Sequence, residues 1–439
     1  MAGYAASSTR GMVSNCRSVS ACALHYDGLV DIETSQTGSL TQVIRPVGAV
    51  DSNVWDFEIP PLGPGVFTNM SDLRVHFKAR ITKDKTPYAD KQNVVCVNNI
   101  GQTAFKNVET KVNDSSLPGS TFSDAHIKAY LDTLRYSDKS MENVLECQGF
   151  SLDDAGGHDV LEETEGAKFR RELVNASREF DIVAPINSDF LKSQSYLGPG
   201  NKLSIRLERA SDEQLIMCPL GDKARLTFTD MKLHCTRIYT EGVALPAVET
   251  HLIPQTEIMR FPMPASTTNI IMNVQKGGRL PRSVVVFFIK TSALDGVYTK
   301  NMLKMEHLKL TSLNLRVSGR SVPSEPLQPD FHEKKQVARE MLHMFQNNGT
   351  LSTGRTGLID RKRFLDGFTI YPFDLTPDKC GGLEYHEFVE GTLDVEAKCE
   401  GMTEACTGFV YLTWDVEVAI DHRSGAPGFH DHNFVSIRK

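Results

Sequence analysis

The sequence predicts an all-β chain that forms two consecutive antiparallel β-sandwiches, with a few short helices in the loops between strands. Three observations support this fold class. Apolar and polar residues alternate with a period of two in most periodic segments, as they do in half-buried strands. Turns that contain Gly or Pro separate these segments. The succession of strands, one helix and further strands occurs twice along the chain.

Alternation is clearest in the first half of the chain. One face of segment 73–81 is entirely apolar and consists of Leu73, Val75, Phe77, Ala79 and Ile81. Segment 203–207 repeats this pattern with Leu203, Ile205 and Leu207. The apolar positions change register between Phe228 and Leu233, which predicts a β-bulge within one long strand.

The second half begins with two turn signals that predict hairpins. Gly277-Gly278 separates segment 269–274 from segment 283–290, and Ser318-Gly319-Arg320 follows a second apolar segment. Prolines at 323, 326 and 329 then predict an irregular, extended stretch.

The longest alternating segment lies near the C-terminus. It runs from Val410 to Ile420, with mostly polar residues between the apolar positions. A strand of about eleven residues is long for a globular protein and suits a large sandwich.

Two helices are predicted, one in each half. The first spans about 123–137 with Ser123 as its N-cap, and the second spans about 333–346. The acidic tract 151–165 is predicted to be a loop. We expect five parts, namely a partly extended N-terminal arm at 1–48, a first sandwich at 49–238, a linker at 239–254, a second sandwich at 255–424 and a C-terminal tail at 425–439.

Composition excludes several classes of protein. The chain has 439 residues with a formal net charge of -7, which argues against a surface that coats nucleic acid. The longest apolar run, Val284–Ile289, is far too short for a membrane span, so none is expected. The N-terminal residues show no secretory signal pattern. The nine cysteines lack metal-ligand spacing and are interpreted as buried reduced thiols.

The candidate phosphate loops are weak. Gly63-Pro64-Gly65 and Gly198-Pro199-Gly200 lack the Gly-Lys-Ser/Thr sequence of a phosphate loop, and proline removes a backbone N–H donor. We therefore predict no cofactor-binding site.

Two groups of carboxylates and histidines are candidate chemical sites. Asp421, His422, His430, Asp431 and His432 are suited to a divalent ion, but a polar tail is the favoured interpretation. Asp374 and Asp378 are suited to sugar cleavage, but an Asp-x-Thr-Pro-Asp turn is the favoured interpretation. Glu162-Glu163-Thr164-Glu165 is interpreted as a solvated loop. We predict no catalytic residue, no metal site and no cofactor, so the chain is not expected to be an enzyme.

Three segments carry a resemblance to a known family. They are Val322–Phe331 (VPSEPLQPDF), Phe368–Asp378 (FTIYPFDLTPD) and Tyr298–Asn301 (YTKN) with Gly296 before it. Weaker similarity extends in the same order over about 29–424, while 1–24 and 145–170 diverge. The chain resembles the double jelly-roll major capsid proteins of the Polinton/Maverick elements and adintovirus-like DNA viruses.

This resemblance implies two jelly rolls in one chain and a function in building a shell. Three copies would form a homotrimer, a pseudo-hexagonal tile of an icosahedral virion shell that encloses double-stranded DNA. The implied partners are neighbouring trimers, a single jelly-roll penton protein and internal cement or minor capsid proteins. The implied location is the virion, with assembly in the host nucleus or cytoplasm, and no sequence-specific nucleic-acid binding is expected.

Two alternatives remain open on the residues alone. One is a β-sandwich protein that binds or hydrolyses glycans, although two Trp residues in 439 offer few aromatic platforms. The other is an endogenous viral copy that a host has retained for another purpose.

Overall fold

The computed structural model of the chain describes residues 35–84, 86–161, 164–193, 195–243, 248–377, 379 and 387–421. The expected arm residues 1–24, the expected tail 425–439, His422, His430–His432 and Asp378 lie outside these residues.

The described residues form nineteen strands. They are β1 (Gln36–Ile44), β2 (Val54–Ile59), β3 (Val66–Lys83), β4 (Thr86–Pro87), β5 (Val95–Cys96), β6 (Phe105–Val112), β7 (Ser115–Phe122), β8 (Phe180–Pro185), β9 (Leu203–Arg209), β10 (Ile216–Met217), β11 (Ala224–Thr240), β12 (Val248–Met263), β13 (Asn269–Gln275), β14 (Ser283–Lys290), β15 (Leu310–Val317), β16 (Arg320–Leu327), β17 (Tyr371–Asp374), β18 (Leu393–Cys399) and β19 (Cys406–Asp421).

Nine α-helices occur in the same described ranges. They are α1 (Ile100–Thr103), α2 (Ala125–Tyr136), α3 (Glu142–Glu146), α4 (Glu165–Val174), α5 (Asp212–Leu215), α6 (Thr291–Leu294), α7 (Ala338–Asn347), α8 (Thr350–Thr353) and α9 (Arg361–Leu365). No helix in this part of the chain is long and apolar enough to span a bilayer.

Strands β1–β11 form the first sandwich. One sheet has the order β1-β11-β3, and both β4 and β8 pair with β3. The other sheet has the order β2-β9-β6-β7, and β5 pairs with β10 in a separate short ribbon. Without β4, β5 and β10, eight strands remain, and their positions along the chain give the sheet orders 1-8-3-6 and 2-7-4-5.

Strands β12–β19 form the second sandwich, which has the same topology. Its sheets have the orders β12-β19-β14-β17 and β13-β18-β15-β16, which are again 1-8-3-6 and 2-7-4-5. Eight antiparallel strands in two sheets with these crossings form a jelly roll. The predicted fold class, two consecutive jelly rolls with short helices in inter-strand loops, is therefore confirmed.

The apolar core follows the predicted alternation. All five apolar residues of segment 73–81 and all three of segment 203–207 are buried. The register of β11 against β3 shifts between Phe228 and Asp230, which confirms the predicted bulge. The continuous apolar run Val284–Ile289 forms β14, which is covered on both faces and is buried along its length.

Two predictions about turns had different outcomes. The turn at 318–320 joins β15 to β16, where Val317 pairs with Arg320, so this hairpin is confirmed. The hairpin predicted at Gly277-Gly278 is wrong, because β13 and β14 lie in different sheets. The stretch around Pro323 and Pro326 is extended and irregular as predicted: it lies in edge strand β16, where a missing N–H donor is tolerated, and residues 323–326 are skipped in the pairing of β16 with β15.

The predicted helices both exist, with corrected ends. The first is α2, but it begins after Asp124, so Ser123 is not its N-cap. The second is α7, which begins only at Ala338. The ten-residue helix α4 was missed because its polar sequence directly follows the acidic tract.

Two strands begin inside segments with another expected role. Residues 36–44 of the expected arm form β1 and pair with β11. Residues 248–254 of the expected linker already belong to β12, which pairs with β19 from Val248 onwards.

Candidate functional site

The Asp374 carboxylate is held inside its own turn. It is buried, and its Oδ1 accepts hydrogen bonds from the Thr376 backbone N–H at 2.9 Å and from the Thr376 hydroxyl at 2.6 Å. The Asp374 N–H donates to Asn347 Oδ1 at 2.9 Å. This is the local hydrogen bonding that favoured the turn interpretation. A carboxylate engaged in this way is not poised as the acid or base of a sugar-cleaving pair.

The two Gly-Pro-Gly loops are turns of the framework. Gly65 has φ +81°, and a side chain there would lie 2.8 Å from the Thr240 carbonyl oxygen. The Gly198 N–H donates to Glu249 Oε1 at 2.9 Å. Each loop therefore packs against a neighbouring strand, β11 for Gly65 and β12 for Gly198.

The cysteines and other metal-binding residue types do not converge within the described ranges. Cys96, Cys218, Cys235, Cys399 and Cys406 are buried free thiols, as predicted, whereas Cys147 is exposed. No group of three or more metal-binding side chains occurs among the described residues.

A buried ionic network lies where the two sandwiches meet. The Lys128 ammonium group on α2 lies 2.8 Å from Asp132 Oδ2 and 3.0 Å from Asp189 Oδ1, and it donates to Asn187 Oδ1 at 2.9 Å. Lys192 also contacts Asp132 Oδ2 at 2.8 Å. Two lysines and two aspartates thus neutralise one another beside the junction.

The second sandwich completes this network. Asp189 Oδ2 accepts hydrogen bonds from the Thr256 N–H at 2.8 Å and from the Thr256 hydroxyl at 2.6 Å. The Tyr411 hydroxyl donates to Asp132 Oδ1 at 2.9 Å. The outer face of β19 is therefore covered by α2, which explains why Tyr411 and Thr413 are buried although the alternation predicted a mostly polar face.

The surroundings of Lys128 and Asp132 favour their charged forms. Burial alone lowers the pKa of Lys128, but the adjacent carboxylates of Asp132 and Asp189 raise it well above its usual value. Burial raises the pKa of Asp132, but Lys128 and Lys192 lower it far below its usual range. Thr256 and Tyr411 of the second sandwich donate hydrogen bonds to these carboxylates, and hydrogen bonds of this kind stabilise the charged form of a carboxylate.

A second polar cluster fixes the start of β12. His251 Nδ1 lies 3.1 Å from the Ser193 hydroxyl, and His251 Nε2 lies 2.5 Å from Glu249 Oε1. Glu249 Oε2 also accepts from Asn201 Nδ2 at 3.2 Å. The connectivity is that of a hydroxyl, imidazole and carboxylate triad, but all three members are buried and a substrate has no access to Ser193. The cluster is therefore a structural contact.

Two further contacts extend the junction along its length. The Arg260 guanidinium of β12 binds both carboxylate oxygens of Asp124, with its Nε at 2.9 Å. In the tract that was expected to be a loop, Asp159 Oδ1 accepts from the Asn301 N–H at 2.8 Å, and the His158 ring packs on Phe368 with centroids 4.4 Å apart. The divergent segment 151–161 is thus part of the junction.

A cleft of about 530 Å³ opens above the ionic network between the sandwiches. Its lining is mixed, with Met70, Leu73 and Leu191 beside Asp132 and Arg282. Asp132 is paired with lysines, and Arg282 is paired with Asp415 at 2.5 Å. The charged groups at the cleft are thus engaged in ion pairs within their own sandwich.

Sequence reasoning missed the whole junction. Lys128, Asp132, Asp189, Glu249 and His251 lie in unremarkable sequence, and most of their partners are more than fifty residues away. The one available signal was Lys128-x-x-x-Asp132, a charge pair at helical spacing, which is usually a solvated pair.

Comparison with known proteins yields one sequence relative and a group of structural neighbours. No family model matches the chain. An uncharacterized protein of Caenorhabditis elegans is 21% identical over 335 residues, which cover 71% of this chain and 74% of that protein.

The structural neighbours include several virus chains. A chain of the Sputnik virophage aligns over 97% of this chain and 92% of its own length, with a TM-score of 0.60 and 11% identity. The mavirus major capsid protein aligns over 93% and 94%, with a TM-score of 0.54 and 13% identity. The Faustovirus major capsid protein aligns over 89% and 92%, with a TM-score of 0.54 and 9% identity. The similarity extends through both jelly rolls.

Proposed function

We propose that this chain is the major capsid protein of a DNA virus or of a virus-derived element. Three copies form a homotrimer with six jelly rolls, and these pseudo-hexagonal capsomers tile an icosahedral shell around double-stranded DNA. The observation that carries this proposal is a pair of jelly rolls with identical strand order, joined by the Asp124–Arg260 ion pair and by hydrogen bonds to buried carboxylates. A capsid tile needs jelly rolls that are rigidly joined, because neighbouring tiles make regular contacts only when their subunits are rigid.

The fold comparison supports the same proposal. The mavirus and Faustovirus chains that share both jelly rolls are major capsid proteins by name. A structural role without catalysis accords with the junction, where Ser193, His251 and Glu249 are sealed from solvent.

The finer assignment is to the Polinton/Maverick and adintovirus-like group. Its support is the pair of sequence segments Val322–Phe331 and Phe368–Asp378, together with a nematode relative. A nematode chain of this kind is expected if such genes reside in animal genomes. The same observation also favours the alternative of a host-retained copy, which would fold alike but build no shell.

The proposal includes partners and location. A separate single jelly-roll penton protein closes the vertices, and cement or minor capsid proteins bind the inner side of the shell. The net charge of -7 leaves DNA condensation to basic internal proteins. The chain resides in the virion and is assembled in the host nucleus or cytoplasm.

We further propose a division of the chain that follows the strands. The expected boundaries were 49–238 and 255–424 with a linker at 239–254. The first jelly roll then extends from β1 to the end of β11, and the second from β12 to β19.

Negative-stain electron microscopy of the purified recombinant chain tests the proposal. We expect hexagonal particles with six lobes, or closed shells, because each chain supplies two lobes. Lysine substitution of an exposed residue away from the junction, such as Leu220→Lys, provides a control for preparation artefacts. Fields of single two-lobed particles at every concentration and salt condition would contradict the proposal.

A further inference from the structure

Arg135, near the end of α2, is a buried cation whose contacts among the described residues include no carboxylate. It is 5% exposed, and its Nη1 is a buried donor without a hydrogen-bond partner in that part of the chain. Its Nε donates to Asn348 Oδ1 at 2.9 Å and its Nη2 to the Ser283 hydroxyl at 3.3 Å, and both acceptors are neutral. Buried charges are normally paired with an opposite charge. The surroundings of Arg135 therefore favour an anion that the sequence as synthesised does not place there.

Asn348 lies on the other side of the junction and is followed by glycine. Helix α7 ends at Asn347, and Gly349 adopts the left-handed conformation with φ +69°. The Asn348 side chain is only partly buried, so water reaches it. Gly349 has no side chain that would hinder the approach of its backbone nitrogen to the Asn348 side chain.

The contact with Arg135 activates the Asn348 amide towards this nitrogen. When a nucleophile adds to Asn348 Cγ, negative charge develops on Oδ1, and the guanidinium Nε at 2.9 Å is placed to stabilise that charge. The Gly349 N–H donates to the Gln346 carbonyl oxygen at 3.4 Å, which is longer than an ordinary backbone hydrogen bond. Little stability is lost when this bond breaks.

We propose that Asn348 is a deamidation site, and that the aspartate formed at this position pairs with Arg135 across the two jelly rolls. The Gly349 nitrogen loses its proton to solvent and bonds to Asn348 Cγ, the Cγ–Nδ2 bond breaks, and ammonia leaves. Water then adds to Cγ of the cyclic imide, and the bond between Cγ and the Gly349 nitrogen breaks, which restores the backbone. The sum is one water consumed and one ammonia released, with no oxidant or reductant.

This modification changes the character of the junction. A neutral hydrogen bond between α2 of the first jelly roll and the end of α7 in the second becomes a charge-assisted ion pair, and such bonds are about twice as strong. The junction is then stronger in aged protein than in newly made protein. The inference concerns a single chain and holds whether or not the chain builds a shell.

Mass spectrometry of the purified chain, incubated at neutral pH, tests the reaction. Replacement of the amide by a carboxylate adds about one dalton to the proteolytic fragment that contains residue 348. We expect conversion in the folded chain to be at least as fast as in a synthetic peptide of residues 340–351, which lacks Arg135. Slower conversion in the folded chain would overturn the proposal, because the fold would then protect Asn348.

Substitution of the cation tests the role assigned to Arg135. Removal of one donor to a developing oxyanion slows a reaction on the order of 100-fold, and we expect a loss of that size in Arg135→Gln. Arg135→Lys, which keeps a positive charge, is expected to lose less, and thermal unfolding checks that each variant is folded. Equal rates in the wild type and both folded variants would overturn the role of Arg135.

The product is made directly by Asn348→Asp. We expect a higher urea midpoint of unfolding than in freshly purified wild type, and no increase when Arg135→Gln is also present. Asn269→Asp adds the same charge at an exposed position of β13 and is the matched control, with an expected midpoint equal to that of the wild type. An unchanged or lower midpoint in Asn348→Asp would overturn the pairing with Arg135.

Discussion

Lys128 neutralises Asp132 and Asp189, the two buried carboxylates that accept hydrogen bonds from the second jelly roll. Replacing Lys128 by Met removes the cation that lies 3.0 Å from Asp189. The other lysine near Asp189, Lys192, is farther away, at 4.0 Å. Breaking a buried ion pair costs about 3–5 kcal/mol. We expect the free energy of unfolding, measured by urea denaturation, to fall by that amount in Lys128→Met.

The matched control is Lys168→Met. Lys168 pairs with Glu165 at 2.7 Å, but the two side chains are 49% and 80% exposed. Exposed pairs contribute less than about 1 kcal/mol. Equal losses of stability in the two variants would show that Lys128 is not buried at a junction.

The turn at Asp374 gives a second prediction at the residue scale. Asp374→Ala removes the acceptor for the Thr376 N–H and hydroxyl, so that both donors lose their partner in a buried site. We expect a loss of about 1–3 kcal/mol in unfolding free energy and a lower yield of assembled protein. Asp374→Asn, which keeps a carbonyl oxygen, is expected to lose less. An unchanged melting temperature and assembled fraction in Asp374→Ala would count against the turn as a determinant of the fold.

Buried histidines predict acid sensitivity. Burial lowers the pKa of His126 and of His158 from 6.5 to about 4, against the attraction of nearby Asp124 and Asp153. Between these pKa values the unfolded chain binds more protons than the folded chain, so stability falls as the pH falls from about 6.5 towards 4. Each histidine contributes at most about 3 kcal/mol to this loss.

Thermal unfolding at pH 7 and pH 5 measures this effect. We expect a lower midpoint at pH 5, and a smaller difference between the two values in the double variant His126→Gln with His158→Gln. A double variant whose midpoint depends on pH as strongly as that of the wild type would assign the acid sensitivity to other groups.

Individual residues were predictable from sequence only where their partners are local. Asp374 Oδ1 accepts its hydrogen bonds from Thr376, two residues away, so the turn was readable from the sequence around it. Ser193 and His251 are fifty-eight residues apart, and their contact depends on how two sandwiches dock. Long-range polar contacts of this kind leave no periodic signature in a single sequence.

Strands were the elements best predicted, because burial of one face imposes a period of two on each of them. The bulge after Phe228 was predicted for the same reason, since a change of phase is visible in the pattern. The pairing of strands was harder to predict from the sequence. Gly277-Gly278 supports a tight turn, but the sequence does not reveal that the next strand joins the opposite sheet.

The short helix α1 provides a prediction at the element scale. It packs so closely on β8 that a Cβ at Gly101 would lie 2.7 Å from Ala184 Cβ and 2.8 Å from Ile182 Cγ2. Gly101→Ala therefore forces backbone movement, and we expect a loss of about 1–3 kcal/mol in unfolding free energy.

The control for this substitution is Gly63→Ala, where no atom lies within 4 Å of the new Cβ. We expect its unfolding free energy to remain within about 0.5 kcal/mol of the wild-type value. A tolerated Gly101→Ala would mean that α1 is not clamped between β8 and the 145–150 turn.

At the scale of the whole molecule, the chain is a structural duplication without a close sequence repeat. Both halves place eight strands in the orders 1-8-3-6 and 2-7-4-5. The sequence predicted two sandwiches because strand signals lie on either side of a single linker region. The sequence did not predict which surfaces of the two sandwiches are in contact. Those surfaces consist of loops and of helix α2, whose partners are set by tertiary packing.

The central claim is that this double jelly roll acts as a self-assembling tile, and its mass in solution tests that claim most directly. Multi-angle light scattering of the purified chain is expected to give three times 48.8 kDa, about 146 kDa, or the larger mass of a shell. Such a mass is predicted to persist on dilution, since interfaces within permanent oligomers bury roughly 2,000–5,000 Å². A stable mass of 48.8 kDa across concentration and salt would contradict the account.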